Sequence, residues 1–126
     1  MLIRIFLAFT ALMFAAFGLW SLLSPLGMAA SLGVEVGGPN GAYELRGIYG
    51  GVSLAAALLC ASGAVLEALR RPALWFIVTY MGGYVFARAA ALLLGPPPTP
   101  AFAVFIAFET ISLVLAAAAL RAASRP

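Results

Sequence analysis

Four long apolar runs limit what this chain can fold into more than any of its other features. They cover about residues 2–23, 42–66, 73–94 and 101–120 of the 126. A helix needs about 20 apolar residues to cross a membrane, because each residue rises about 1.5 Å through a hydrocarbon core about 30 Å thick. We therefore predict an all-α integral membrane protein, a four-helix bundle that forms one transmembrane domain over residues 1–126.

The composition agrees with a membrane location and excludes water-soluble classes of protein. Apolar residues make up 65% of the chain and charged residues 9%, whereas a soluble domain is about half apolar and roughly a quarter charged. The seven basic residues are scattered arginines, so no basic stripe could follow a nucleic-acid backbone, and we predict no nucleic-acid partner. The chain has no histidine and one cysteine, Cys60, so we predict no metal site and no cofactor. Cys60 is expected to be a buried apolar residue.

Three connections separate the apolar runs. Pro25 ends the first run, because proline cannot continue the hydrogen-bond ladder of a helix, and we predict an outer loop over residues 25–41. Residues 67–72 are predicted to form a short charged turn. Residues 95–100 are Gly-Pro-Pro-Pro-Thr-Pro, a composition that suits neither a helix interior nor a strand. Short connections of this kind make the flanking helices antiparallel neighbours.

The arginines predict the orientation of the bundle. They lie before the first run, between the second and third runs and after the fourth run: Arg4, Arg70, Arg71, Arg121 and Arg125. The other two connections contain no arginine, and the longer of them carries Glu35. Because arginine and lysine concentrate in cytoplasmic segments, we predict that both termini are cytoplasmic.

A secretory signal sequence is the competing interpretation of the first run, because Gly27-Met28-Ala29 resembles a cleavage site. The apolar core of a signal peptide spans about 7–15 residues. This run is longer and carries the large Trp20 near its end. Both features favour a span that is retained.

Four charged residues lie inside the apolar runs or at their ends: Glu44, Arg46, Arg88 and Glu109. A charge near a helix centre costs about 2.5–3.5 kcal/mol to insert, so such residues persist where they pair or face the interior of a bundle. Arg88 lies about 10 Å below the end of the third helix and Glu109 about 12 Å below the start of the fourth. These matching heights predict a buried ion pair between Arg88 and Glu109, which Arg46 and Glu44 would extend outward. The pair can serve as a structural clamp or as part of a ligand site, and both interpretations stay open.

The tyrosines predict a polar pocket around this pair. Tyr80, Tyr84 and Arg88 recur every four residues and therefore share one face of the third helix, while Tyr49 follows Arg46 by three residues. An aromatic belt at the membrane interface is the alternative for such residues. The predicted pocket is lined by Arg46, Tyr49, Tyr80, Tyr84, Arg88 and Glu109.

Small residues mark two candidate helix-packing stripes. Gly47 and Gly51 lie four residues apart in the second helix, and Gly83 and Ala87 do so in the third. Close packing between such stripes joins helices in lipid. We predict contacts within the bundle, and dimerisation through the same residues is the alternative.

One segment resembles a known family. Glu44-Leu-Arg-Gly-Ile-Tyr-Gly-Gly51, followed by Arg88 and Glu109 in a small four-span chain, resembles the bacterial membrane family catalogued as domain of unknown function 4345. The resemblance covers nearly the whole chain. It implies a helical bundle in a bacterial inner membrane and supplies no reaction.

Several functions fit these observations. The first is binding of an amphipathic small molecule, such as a quinone, a lipid or an isoprenoid, with its head beside Arg46, Arg88 and Glu109. An enzymatic variant would use Glu109 as an acid or base, although no catalytic motif is identifiable. The alternative is an accessory or assembly subunit of a larger membrane complex, or a homo-oligomer, in which the charges are a clamp. A transporter of four helices would need a dimer to enclose a pathway.

Overall fold

The computed structural model describes residues 1–124, and four of its helices are long and apolar enough to cross a membrane. The first span is helix α1 (Leu2–Leu23), and the third span is α5 (Glu67–Leu94). The second span, Gly38–Val65, is continuous, and the fourth, Pro100–Ala123, consists of a 3₁₀ turn and helix α6 (Ala103–Ala123). The predicted all-α bundle is confirmed, and the four apolar helices indicate a multi-pass membrane protein.

The second span contains a π-helical turn that the sequence analysis did not anticipate. Helix α3 (Gly38–Leu45) leads into the turn Arg46–Gly51, which continues as α4 (Val52–Val65). At the end of the turn, the backbone N–H of Val52 donates to the Gly47 carbonyl five residues earlier. Such turns place an extra residue in a helix and are frequent at functional sites. This one falls inside the segment on which the family resemblance depends.

The connection after α1 is more ordered than an outer loop. Residues Pro25–Ser31 form a short helix, α2, and the second span begins at Gly38 rather than near residue 42. Proline suits the first position of a helix because its missing N–H would have no partner there. Pro25, Met28 and Ala29 are buried, so α2 packs against the bundle.

The predicted turn over residues 67–72 is wrong, because α5 already begins at Glu67. Only Leu66, in an extended conformation, separates α4 from α5. Pro72 therefore lies within the helix. A proline in this place removes one backbone hydrogen bond near the start of the helix, and the helix continues through it.

The four spans pack as a ring, in which each span contacts the next along the chain and the fourth contacts the first. Helix α4 lies between α1 and α5, and α6 packs against α5. Helices α1 and α6 meet through aromatic side chains, with ring centroids 6.3 Å apart for Phe14–Phe108 and 5.5 Å apart for Phe17–Phe105. We call the end of the bundle with the 24–37 connection and the proline-rich turn the distal end, and the opposite end the terminal end.

Small residues allow close approach of the helices, but they are not the ones predicted. A Cβ atom on Gly18 would lie 3.1 Å from the Gly50 carbonyl oxygen, and one on Gly63 would lie 2.8 Å from the Ala73 Cβ. The predicted packing residues all face outward: Gly47, Gly51, Gly83 and Ala87 are exposed. The prediction of contacts within the bundle through those four residues is therefore wrong. A repeat of small residues in the sequence places them on one face of a helix, but it does not show which neighbouring helix packs against that face.

The terminal end is held by a hydrogen bond from an arginine to a helix end. The Arg4 Nε donates to the Ala64 carbonyl oxygen at 3.0 Å, in the last turn of α4, where carbonyl groups have no partner within the helix. Glu67 and Arg70 form a wide pair of 4.0 Å at the start of α5. Cys60 is buried and unbridged, as expected. Arg125 lies outside the described residues.

Candidate functional site

The predicted ion pair between Arg88 and Glu109 is present. The Arg88 Nε donates to Glu109 Oε2 at 3.1 Å, and Nη2 donates to Oε1 at 2.8 Å. The two parallel bonds make a bidentate pair, the strong arrangement for a guanidinium and a carboxylate. The Glu109 side chain is 7% exposed and that of Arg88 is 34% exposed. The carboxylate is thus enclosed, while part of the guanidinium remains accessible.

Aromatic rings flank the guanidinium. The Arg88 Cζ lies 5.4 Å from the centre of the Tyr84 ring and 5.3 Å from that of Phe102. Both distances are within the range of a cation–π interaction. Phe102 belongs to the 3₁₀ turn that opens the fourth span, so the proline-rich connection supplies this ring. Within the described residues, Arg88 Nη1 makes no hydrogen bond.

Arg46 and Glu44 do not extend the pair, so this part of the prediction is wrong. The Arg46 Nε donates to the Leu22 carbonyl oxygen at 3.1 Å. That carbonyl lies in the last turn of α1, where unpaired acceptors and the negative end of the helix dipole attract a cation. Glu44 is exposed and, within residues 1–124, forms no ion pair. The sequence indicates the depth of Arg46 in the membrane. It does not show that the end of α1 offers Arg46 a hydrogen-bond acceptor that takes the place of the ion pair.

A cavity of about 510 Å³ lies beside the ion pair. Side chains from α1, the second span, α5 and α6 line it, with further residues from α2 and the segment after it. Cavities of this size hold small molecules in other proteins, and they are mostly apolar with a few polar groups. The predicted residues among the lining are Tyr49, Tyr80, Tyr84, Arg88 and Glu109; Arg46 and Glu44 are not.

The three tyrosines are joined to the cavity wall by ring contacts. Tyr80 and Tyr84 meet edge to face at a centroid distance of 5.2 Å, and Tyr49 meets Phe17 in the same way at 5.8 Å. Within the described residues, none of the three hydroxyl groups donates to a carboxylate or to a backbone carbonyl. The Tyr49 hydroxyl is therefore without a partner among these groups, whereas the hydroxyls of Tyr80 and Tyr84 interact with each other.

Phenylalanines form much of the remaining wall, and the sequence analysis missed them. Phe14 contacts the rings of both Tyr80 and Phe108, while Phe17 contacts those of Tyr49 and Phe105. A sequence signal was available, because Phe102, Phe105 and Glu109 follow the i, i+3, i+7 spacing of one helix face. Aromatic residues are common in apolar runs, so the spacing became meaningful only once Glu109 was known to face inward.

The cavity opens near the distal end. Four of its large apolar lining residues are at least two-fifths exposed: Trp20, Val34, Ile48 and Val104. They come from α1, the segment after α2, the second span and the start of α6. All four are apolar, so the opening offers little resistance to a hydrocarbon chain.

The polar groups around the cavity are few, and most of its wall is apolar. In the part of the chain that the structure describes, no group of three histidine, cysteine, aspartate or glutamate residues could hold a metal ion. The polar side chains that line the cavity are one ion pair without net charge and four hydroxyls, those of Ser53 and the three tyrosines. They can orient a molecule through hydrogen bonds while the rest of its surface contacts apolar side chains.

Comparison with curated proteins and with solved structures gives no significant match. A family model does match, over residues 2–120, which is nearly the whole chain. The matched region includes both members of the ion pair, the π-helical turn and every residue that lines the cavity. The resemblance inferred from the sequence is confirmed, and the chain belongs to the family described as Domain of unknown function (DUF4345).

Proposed function

We propose that the protein binds an amphipathic small molecule or lipid within the membrane. The observation that carries this proposal is the cavity of about 510 Å³ with a bidentate Arg88–Glu109 pair in its wall. A purely structural clamp would need only the pair, packed against neighbouring side chains. Empty space of this size beside the pair favours a ligand, because interiors otherwise pack to the density of organic crystals.

The polar and apolar parts of the cavity give the ligand an orientation. Its head lies beside Arg88 and the Tyr49 hydroxyl, which supply donors for hydrogen bonds. Its apolar tail leaves through the opening, where Trp20 and Val104 are exposed. Such a molecule enters from the bilayer and does not need to pass through water.

Two pairs of variants test this proposal. Ser53→Met places a larger side chain on a buried position of the cavity wall, and Ser62→Met is its control on the same helix away from the cavity. Tyr49→Phe removes a hydroxyl from the cavity, and Tyr43→Phe removes one from a residue that is 79% exposed. We expect the two cavity variants to retain less bound small molecule than their controls. Native mass spectrometry with lipid extraction of gently purified protein measures the difference.

Two results would contradict the proposed ligand site. If the wild-type protein carries no small molecule and no added amphiphile binds it, the ligand site is wrong. If all four variants retain the same amount of the same molecule, that molecule lies outside the cavity, and the proposal is also overturned.

A role as an accessory subunit is the second candidate, and the exposed small residues favour it. A Cβ atom on Gly47 or Gly83 would meet nothing within 4 Å, so another membrane helix could approach these positions closely. In that case native mass spectrometry would detect a stoichiometric protein partner or a homo-oligomer in place of a small molecule.

The proposed location is a bacterial inner membrane with the terminal end in the cytoplasm. Arg4, Arg70, Arg71 and Arg121 support this orientation, since positive residues favour the cytoplasmic side. In a Cys60→Ser background, we expect a membrane-impermeant maleimide to label Glu35→Cys but not Ala68→Cys in cells with a permeabilised outer membrane. Both positions are exposed, and they lie at opposite ends of the bundle. If only Ala68→Cys is labelled, the orientation in the membrane is the opposite of the one proposed.

A further inference from the structure

We infer that the head of the bound molecule is an uncharged, planar ring that carries carbonyl groups, as in a quinone. The inference rests on the proposed function, because it names the chemistry of the ligand in the same cavity. It concerns binding alone.

The charge balance of the cavity argues against a charged head. Of the described residues that line it, only Arg88 and Glu109 carry a charge, and their charges cancel. Each side chain already binds the other through two hydrogen bonds. A phosphate or sulfate would bring a negative charge into an apolar site without a free cation to neutralise it, and such burial is costly. The positive side chain nearest along the second span, that of Arg46, binds the end of α1 and does not line the cavity.

The polar side chains that remain can each donate a hydrogen bond. Within the described residues, the N–H groups of Arg88 Nη1 have no hydrogen-bond acceptor. The Tyr49 hydroxyl donates to no carboxylate or backbone carbonyl. A carbonyl oxygen accepts from groups of both kinds without carrying a charge. A ligand of this class completes the hydrogen bonding of the site and leaves the ion pair intact.

The shape of the wall favours a flat head. Phe14 lies edge-on to the Tyr80 ring at a centroid distance of 5.9 Å and to Phe108 at 6.3 Å. Phe17 likewise meets Phe105 at 5.5 Å. Aromatic rings prefer edge-to-face or offset stacked neighbours, and a planar ring satisfies both geometries. A branched phospholipid head has no flat face to offer these side chains.

The two tryptophans provide a direct test, because they report on different places. Trp20 lines the cavity, whereas Trp75 lines a separate groove at the terminal end beside Arg121. Quinones quench tryptophan fluorescence at short range. We expect 2-dodecyl-1,4-benzoquinone to quench the emission of the Trp75→Phe protein, in which only Trp20 remains, strongly and with saturation. The Trp20→Phe protein should show only the weak, linear quenching that follows from partition of the quinone into the micelle.

Competition then separates a neutral head from a charged one. Dodecyl phosphate has the same chain with an anionic head, and we expect it not to restore the Trp20 emission. Ser53→Met, combined with Trp75→Phe, should weaken the saturable quenching, and Ser62→Met in the same background should not.

The outcomes distinguish failure of this inference from failure of the proposed function. If dodecyl phosphate or a phospholipid binds the protein and the quinone produces no saturable quenching, the inference is overturned while the binding site stands. Equal quenching of both single-tryptophan proteins also overturns it, because the quinone is then merely dissolved in the micelle. If neither class of molecule binds, both the inference and the proposed function are wrong.

Discussion

Arg88→Leu is expected to lower the free energy of unfolding by about 3–5 kcal/mol, because it leaves the Glu109 carboxylate buried and unpaired. Glu109→Leu should cost less than Arg88→Leu, since the Arg88 guanidinium that loses its bidentate partner is 34% exposed. The double variant Arg88→Leu/Glu109→Leu should lose less than either single variant, because no uncompensated charge remains. Thermal or denaturant unfolding in detergent micelles measures all three.

The exposed pair at the terminal end is the matched control. Glu67 is 91% exposed and lies 4.0 Å from Arg70, so Glu67→Leu should change stability by only about 0–1 kcal/mol. If Arg88→Leu proved as stable as the double variant, the unpaired Glu109 carboxylate would cost nothing, and the reason given for this prediction would be wrong. If instead the double variant lost the sum of the two single losses, the pair would have no coupling energy.

Gly63→Ala is expected to destabilise the bundle by about 1–3 kcal/mol through overpacking. The added methyl group would lie 2.8 Å from the Ala73 Cβ and 3.0 Å from the Leu69 carbonyl oxygen. Neither is the end of a flexible side chain, so α4 and α5 would have to move apart. Unfolding of the purified variant in the same micelles gives the loss.

Gly83→Ala is the control for this substitution. Nothing lies within 4 Å of a Cβ atom at this exposed position of α5, and alanine is a better helix former than glycine by about 0.8–1.0 kcal/mol. We expect stability to stay the same or rise. A loss at Gly83 equal to that at Gly63 would mean that another helix covers the outer face of α5 in the micelle.

The membrane spans could be predicted from the sequence because a segment needs only its own length and apolar composition to form one. Length and apolarity decide whether a helix crosses a bilayer, and no particular neighbour is needed. The boundaries were less accurate: residues 67–72 belong to α5 instead of forming a turn before it, and residues 25–31 form a helix. Pro72 removes one backbone hydrogen bond from a helix of 28 residues, and the apolar segment Met28-Ala29 is stabilised by packing on the bundle.

The candidate site was predicted in part. Arg88 and Glu109 could be matched because two antiparallel helices with a short connection place them at one height. Arg46 could not be assigned in this way, since the carbonyl of Leu22 competes for it. The phenylalanine wall and the π-helical turn at Arg46–Gly51 depend on how the spans rotate against each other, which a hydropathy pattern does not record.

By itself, the sequence determined that the chain forms four apolar helices and that the opposite charges of Arg88 and Glu109 must be paired. An unpaired charge within the hydrocarbon core of a bilayer has a high free-energy cost. Only the tertiary structure decided which glycines touch a neighbouring helix, that Arg46 binds a helix end, and that a cavity remains beside Arg88 and Glu109. Lipid and protein interior are equally apolar, so hydrophobicity cannot say which face of a helix turns inward. Close packing and hydrogen bonding make that choice.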